Sequence, residues 1–310
     1  MKTCTVVYNP HTPRLQDGQL VQQIQQRLLN SFKKVTIMKS EYPGHLIELV
    51  RLENGKVDLI LSVGGDGTFN EVVTALHQEG KQESVIAHIP AGTTNDLGHT
   101  FGLSHNPMEA LDQLLGGITT MLDYLLINGK PYSYIAAFGY LSGVAAETPN
   151  WLKQAFGRNG YLIKGIRRFF RDPAKYEISY VIDGKEYRDH CMFGIVTNAK
   201  GFGGIDVYNE ETIRLNDRNF EFLYVKSMSK GKFLDLINKV LISKYKLENC
   251  PGTVKFTVSK LRIKSHRSSF REWSLDGEGY QLDGHEAVVE VAPRQLEILL
   301  PRETVKTICS

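Results

Sequence analysis

The stretch Leu59-Ile60-Leu61-Ser62-Val63-Gly64-Gly65-Asp66-Gly67-Thr68-Phe69-Asn70-Glu71 limits what this chain can fold into more than any other part of it. Its first five residues read as a buried strand. Three glycines within four residues stop that strand. Val72, Val73, Ala75 and Leu76 then recur among polar residues, a spacing that predicts a helix. Strand, glycine turn and helix in that order hold anions. Glycines let the backbone approach closely, N–H groups point at the anion, and the helix N-terminus favours negative charge. A second loop, Ile89-Pro90-Ala91-Gly92-Thr93-Thr94-Asn95-Asp96, follows another short apolar strand, Val85 to Ile89. Two such loops at successive strand ends lie side by side in a parallel sheet.

Gly64-Gly65-Asp66-Gly67 fits neither the dinucleotide fingerprint nor the P-loop pattern. A lone glycine turn is more often structural than functional. The second loop, with Thr93 and Asn95 as neutral donors, lowers the weight of that reading. Asp66 would repel a phosphate unless a cation stands between them, which points to Mg²⁺ carried by a nucleotide.

Together the two loops resemble the G-G-D-G-T and P-x-G-T-x-N-D signatures of the diacylglycerol kinase catalytic family, which also includes sphingosine, ceramide and bacterial lipid kinases. The resemblance implies ATP and Mg²⁺ as cofactors. It places Gly64, Gly65, Asp66, Gly67, Thr68, Asn70, Glu71, Gly92, Thr93, Asn95 and Asp96 at the nucleotide. A third contact would come from Asn9 and Pro10, where the family has N-P-x-S-G and then a basic residue. Here Thr12 stands for the serine and Arg14 for the basic residue, while Pro13 replaces the glycine. Proline fixes φ and removes an N–H, so a phosphate contact from this loop is in question. Ser40 matches a family threonine near the nucleotide.

The order of elements agrees with an open α/β sheet. Strands are expected at 3–8, 35–38, before Gly64 and before Pro90. Helices are expected at 18–32, after Pro43-Gly44, and at 108–115 before Gly116-Gly117. Beyond residue 120 the pattern turns to strands, with hairpin turns at Asn128-Gly129 and Asp183-Gly184. One expected strand runs from 120 to 127. The expectation is a nucleotide-binding α/β domain over 1–124 and an all-β antiparallel sandwich over 125–295 for the lipid. The resemblance implies that 296–310 returns to the first domain.

The late segment Ser274-Leu275-Asp276-Gly277-Glu278-Gly279 resembles the family's D-G-E motif. Asp276 or Glu278 would accept the proton of the substrate hydroxyl. On its own Asp-Gly is a common hairpin turn, and a second one stands at Asp283-Gly284. Asp123 aligns with a family aspartate that supports the base. Residues 161–171 combine Lys164, Arg167, Arg168 and Arg171 on one helical face with Ile163, Ile166, Phe169 and Phe170 on another. Such a helix suits an anionic membrane surface, and equally a half-buried amphipathic helix. Lys164 also matches an active-site lysine of the family. In similar bacterial proteins a structural Mg²⁺ binds, through the aspartate and neighbouring backbone carbonyls, where this chain has Arg214, Asp217 and Asn219. The family's glycine after that aspartate is Arg218 here.

Composition narrows the remaining choices. At 310 residues there is room for two domains, and the apolar runs are strand length, short of the ~18 residues of a spanning helix. The N-terminus enters a strand directly, without a signal-peptide layout. Cys4, Cys191, Cys250 and Cys309 lack Cys-x-x-Cys spacing and read as thiols in a reducing compartment. A net charge of +3 is too small to argue for nucleic acid. The expected protein is an ATP-dependent lipid kinase converting diacylglycerol to phosphatidic acid, cytoplasmic and peripheral at the inner membrane face. A homodimer through a sheet edge is left open. Alternatives are a kinase of a sphingoid base, of phosphatidylglycerol or of NAD, and a non-catalytic nucleotide or lipid sensor.

Overall fold

The computed structural model describes residues 2–139, 175–209 and 211–309. The chain forms two compact units, Met1–Tyr124 with Pro293–Ser310, and Leu125–Ala292. The first unit contains strands β1 (Thr3–Tyr8), β2 (Lys34–Lys39), β3 (Leu59–Gly64), β4 (Val85–Pro90) and β5 (Ile118–Leu122). Its helices are α1 (Gln19–Leu28), α2 (His45–Glu53), α3 (Asp66–Glu79), α4 (Asp96–Thr100) and α5 (Pro107–Leu115). The second unit contains β6 (Leu125–Ile127), β7 (Lys130–Tyr132), β8 (Ile135–Gly139), β9 (Tyr176–Ile182), β10 (Lys185–Thr197), β11 (Gly201–Phe202), β12 (Ile205–Asp206) and β13 (Phe220–Lys226). It continues with α6 (Lys230–Leu241), β14 (Thr253–Val258), β15 (Lys260–Lys264), β16 (Glu272–Leu275), β17 (Glu278–Gln281) and β18 (Glu286–Val291). The chain ends in the first unit with β19 (Leu296–Leu300) and α7 (Arg302–Ile308).

The first sheet has the order β2-β1-β3-β4-β19-β5. β2, β1, β3, β4 and β19 run parallel, and β5 is antiparallel to β19. Strands covered on both faces need continuous apolar sequence, and β3 is buried from Leu59 to Gly64. α1 turns Val21, Ile24 and Leu28 inward, and α3 turns Phe69, Val72, Val73 and Leu76 inward. Each such side chain contributes about 1.5–3 kcal/mol when buried. α5 begins as its sequence suggests, with Pro107 in the first turn and the Asn106 side chain accepting from Met108 N at 3.0 Å. β19 is locked to the loop ahead of β4 by two reciprocal bonds between Gln82 and the Glu297 backbone, both 2.7 Å.

The strand order reverses beside β1: its first crossover leads to β2 on one side and the next leads to β3 on the other. Ligands of open α/β sheets bind at such switch points, at the carboxyl ends of the strands. Register brings four carboxyl ends into one row. Tyr8 pairs with Lys39 and Val63, Val63 with Ile89, and Gly64 with Pro90.

Among the described residues of the second unit every ladder is antiparallel, and eleven strands form one hydrogen-bonded network that branches at β10. The first half of β10 pairs with β9, and its second half lies between β8 and β13, with an irregularity between Cys191 and Phe193. Three two-residue hairpins have both central residues at positive φ: Asn128-Gly129 (49° and 80°), Asp183-Gly184 (50° and 76°) and Asp276-Gly277 (48° and 88°). That geometry matches the twist of the flanking strands and favours Asn-Gly and Asp-Gly. Asp283-Gly284 has neither residue at positive φ.

Two expectations need correction. The single strand expected over 120–127 is two strands, β5 in the first sheet and β6 in the second, broken at Asp123-Tyr124. The break carries no glycine or proline and both residues are buried, so the apolar run conceals it. α6 was not expected in the strand-rich half, although Phe233 and Leu236 stand at helical spacing and are buried.

Candidate functional site

The glycine loop after β3 and the loop after β4 touch through their backbones. A Cβ on Gly92 would lie 2.6 Å from Gly65 Cα, and one on Gly64 would lie 2.2 Å from Thr68 Oγ1. No other residue fits either position without moving the backbone or the helix start. Gly64 O accepts from Ala91 N at 2.7 Å and Gly92 N at 3.2 Å. Asp66 ties the loops a second time. Its Oδ2 accepts from Asp96 N at 3.1 Å and its Oδ1 from Leu97 N at 3.0 Å, at the start of α4. The carboxylate expected to face a metal is therefore buried and engaged by backbone donors of the other loop.

Asn95 takes the left-handed conformation at φ 55°. Its Nδ2 donates to Gly92 O at 2.9 Å, while its buried Oδ1 has no hydrogen-bond partner among the described residues. Asn70 Oδ1, one turn into α3, is in the same state. A buried acceptor without a donor costs about 1–3 kcal/mol, which a ligand donor would relieve. Thr93 is exposed, Thr68 and Asp96 are buried, and Glu71 is half-buried.

The loop after β1 lies next along the row. His11 N donates to Asn9 Oδ1 at 2.9 Å and Thr12 N to Asn9 O at 3.1 Å. Pro13 opens a short 3-10 turn, Pro13–Leu15. A proline in the first position of a helical turn loses an N–H that has no partner there anyway, so the departure at Pro13 is accommodated locally. Arg14 donates to His105 O at 2.8 Å. Ser40 is buried, and its N–H donates to Tyr8 O at 2.9 Å.

In the second unit, Asp276 turns from the β16–β17 hairpin into the protein. Its Oδ2 accepts from Ser133 N at 2.6 Å and Ser133 Oγ at 2.7 Å, and its Oδ1 from Tyr134 N and Ile135 N, each at 3.0 Å. Burial pushes its pKa up, while the four donors pull it down. All four need an acceptor, which only the carboxylate provides. Glu278, two residues on, is exposed at the start of β17. Tyr132 has a fully buried hydroxyl with no partner among the described residues, and burial, then the Asp276 charge, pushes its pKa well up. Sequence spacing gave no sign of Ser133 or Tyr132, because Ser133 lies 143 residues from Asp276.

The diacylglycerol kinase catalytic domain model matches residues 3–127. A diacylglycerol kinase of Staphylococcus epidermidis is 32% identical over 283 residues, spanning 90% of this chain and 85% of its own. This chain belongs to the diacylglycerol kinase family. A solved structure described as a putative diacylglycerol kinase from Bacillus anthracis superimposes with a TM-score of 0.82 at 22% identity, covering 98% of this chain and 97% of that one. An NAD kinase from Archaeoglobus fulgidus, solved in complex with ATP, gives a TM-score of 0.52 at 16% identity, covering 98% and 96%. At these identities the two structures speak to fold alone.

Three candidate regions of this diacylglycerol kinase family member remain. Asp123 is fully buried just after β5, and the next residue, Tyr124, bonds through its hydroxyl to His77 Nδ1 at 3.0 Å. Asp217 is exposed, and its Oδ1 accepts from Asn219 N at 2.9 Å while Asn219 Nδ2 donates to Asp217 O at 3.0 Å. Arg218 between them takes φ 64°, which accounts for a glycine being usual there. Among Arg214, Asp217 and Asn219 only one side chain is a carboxylate. With one carboxylate in the set, an Mg²⁺ that wants near-octahedral oxygens would rest there mainly on backbone carbonyls and water. Among the described residues no group of three or more His, Cys, Asp or Glu could hold a metal ion. Lys164 and the rest of 161–171 lie outside the described residues. No helix among them is long and apolar enough to cross a membrane.

Proposed function

We propose that this protein is an ATP-dependent lipid kinase that transfers the γ-phosphoryl group to the hydroxyl of diacylglycerol, forming phosphatidic acid. The observation that carries the nucleotide half is the pair of loops packed glycine on glycine, Gly65 against Gly92, with the unpartnered Asn95 Oδ1 beside them. A backbone cradle of that kind suits phosphates, and the first turn of α3 adds N–H groups and a favourable dipole. Mg²⁺ would arrive with the nucleotide and neutralise phosphate charge, held by water and the phosphates more than by a protein cage.

For the acceptor half, the geometry favours Glu278 as base. Asp276 is spent on four donors and braces the turn, whereas Glu278 is exposed at the same hairpin. In the proposed step the lipid hydroxyl oxygen forms a bond to the γ-phosphorus and the bond from that phosphorus to the β–γ bridging oxygen breaks. ADP carries away the electron pair, and Glu278 takes the hydroxyl proton. Asp123 and Lys164 stand as proposed supporting residues, and diacylglycerol as the proposed lipid, on the family's names. Radiolabelled γ-phosphate transfer to a panel of diacylglycerol, sphingoid base, phosphatidylglycerol and NAD tests the reading. Label in phosphatidic acid, lost in Glu278→Ala, supports it. Label in NAD alone, or none in any acceptor with ATP bound, overturns it.

A further inference from the structure

α6 carries two of its three lysines where they cost the helix stability. Lys230 and Lys232 occupy its first turn, which holds no acidic residue, although the positive end of a helix dipole disfavours cations there. At the far end the backbone closes through Ile242 N to Asn238 O at 3.0 Å and Tyr245 N to Lys239 O at 3.0 Å. Lys244 inside that turn takes φ 53°, the left-handed conformation for which glycine is usual after a helix. Two local rules are thus broken in favour of lysine, the pattern expected where surface charge has a use.

The charge is concentrated as well as misplaced. From Lys226 to Lys246 the chain has six lysines and one aspartate, a net +5, against +3 for all 310 residues. Lys226, Lys239 and Lys246 pair with Asp189, Asp235 and Asp206. Lys230, Lys232 and Lys244 are exposed and form no ion pair among the described residues. Apolar side chains stand out of the same surface. Ile242 is 75% exposed, Tyr245 57% and Leu234 50%, and Ile242 is the most exposed large hydrophobic among the described residues. Leu234, Asn238 and Ile242 recur at four-residue spacing on the face opposite the buried Phe233 and Leu236.

Lysines around protruding leucine and isoleucine, with a tyrosine at the edge, match the interface of an anionic bilayer. They do not suit a second copy of this chain, whose own exposed Lys230, Lys232 and Lys244 would repel them. We propose that α6 and the turn after it form a docking surface for an anionic lipid bilayer. The lipid-kinase reading supplies the purpose, since its substrate resides in a bilayer.

The test is co-sedimentation of the full chain with phosphatidylglycerol-containing vesicles and with phosphatidylcholine vesicles, at low and high salt. Each lysine near an anionic surface contributes about a five-fold factor in partitioning, so Lys230→Glu with Lys232→Glu should weaken binding to anionic vesicles by about 25-fold or more. Ile242→Asp should weaken it in both salts. Circular dichroism should show every variant folded, because the changed residues are exposed. Variants that bind like wild type, or wild-type binding indifferent to lipid charge, would overturn the proposal. Self-association lost in Ile242→Asp with unchanged vesicle binding would overturn it in favour of a second copy. Transfer to a dispersed short-chain diacylglycerol keeps the two readings apart. Vesicle binding without transfer to any lipid sinks the kinase reading and leaves the docking surface, and transfer without charge-dependent binding does the reverse.

Discussion

Asp276 and Glu278 should respond to alanine in opposite ways. Asp276→Ala strips an acceptor from Ser133 N, Ser133 Oγ, Tyr134 N and Ile135 N. Each buried donor left unsatisfied costs about 1–3 kcal/mol, and a water filling the vacated space recovers part of that. Alanine is also less at ease than aspartate at φ 48°, for about 1 kcal/mol more. The expected loss is about 3–5 kcal/mol, at the upper end for single substitutions. Asp276→Asn should cost about half as much, because its amide oxygen can still serve Tyr134 and Ile135 while its NH₂ opposes Ser133 N–H. Glu278→Ala, at an exposed site, should stay within about 0.5 kcal/mol of wild type while transfer falls about 10²–10⁴-fold. Trp273 is buried three residues before Asp276. Its fluorescence, with Trp151 replaced by Phe, reports urea unfolding of this region. At the usual urea dependence the Asp276→Ala midpoint should drop by about 2 M. A wild-type midpoint for Asp276→Ala would refute the bracing role. Full transfer by Glu278→Ala would refute the base assignment.

Three further outcomes follow from the first unit. Gly92→Ala places a methyl carbon 2.6 Å from Gly65 Cα, so it should cost about 1–3 kcal/mol by overpacking and weaken ATP binding in calorimetry. Asp66→Ala removes the acceptor for Asp96 N and Leu97 N and should cost about 1–2 kcal/mol as a lost helix cap, with a raised KM for ATP. Burial lowers the pKa of His88 to about 3, below its unfolded value of about 6.5. Its stabilisation is complete above that unfolded value and is lost as pH falls toward 3. Between pH 7 and 4.5 wild type should lose about 2–3 kcal/mol more than His88→Gln, measured by denaturant titration at both values.

Much of the nucleotide-binding unit was legible because its signals are local. Gly64 and Gly92 sit where a Cβ would collide, and a stop in an apolar run shows in any strand-turn-helix sequence. The Asn128-Gly129 and Asp183-Gly184 hairpins were legible for the same reason: their φ values are a property of two adjacent residues. The roles of Asp66 and Asp276 were not. Each is a carboxylate beside a glycine, and sequence alone left both facing a ligand. What each carboxylate meets is decided by backbone N–H groups 30–31 and 141–143 residues away. Likewise the strand break at Asp123 is invisible until β5 pairs with β19 and β6 with β18. The sequence by itself determined most elements of the first unit, its two glycine loops and the hairpin turns, since those follow from conformational preference over a few residues. Tertiary structure alone decided which carboxylate is free for chemistry, because hydrogen-bond satisfaction in a buried turn depends on partners that only the folded chain brings together.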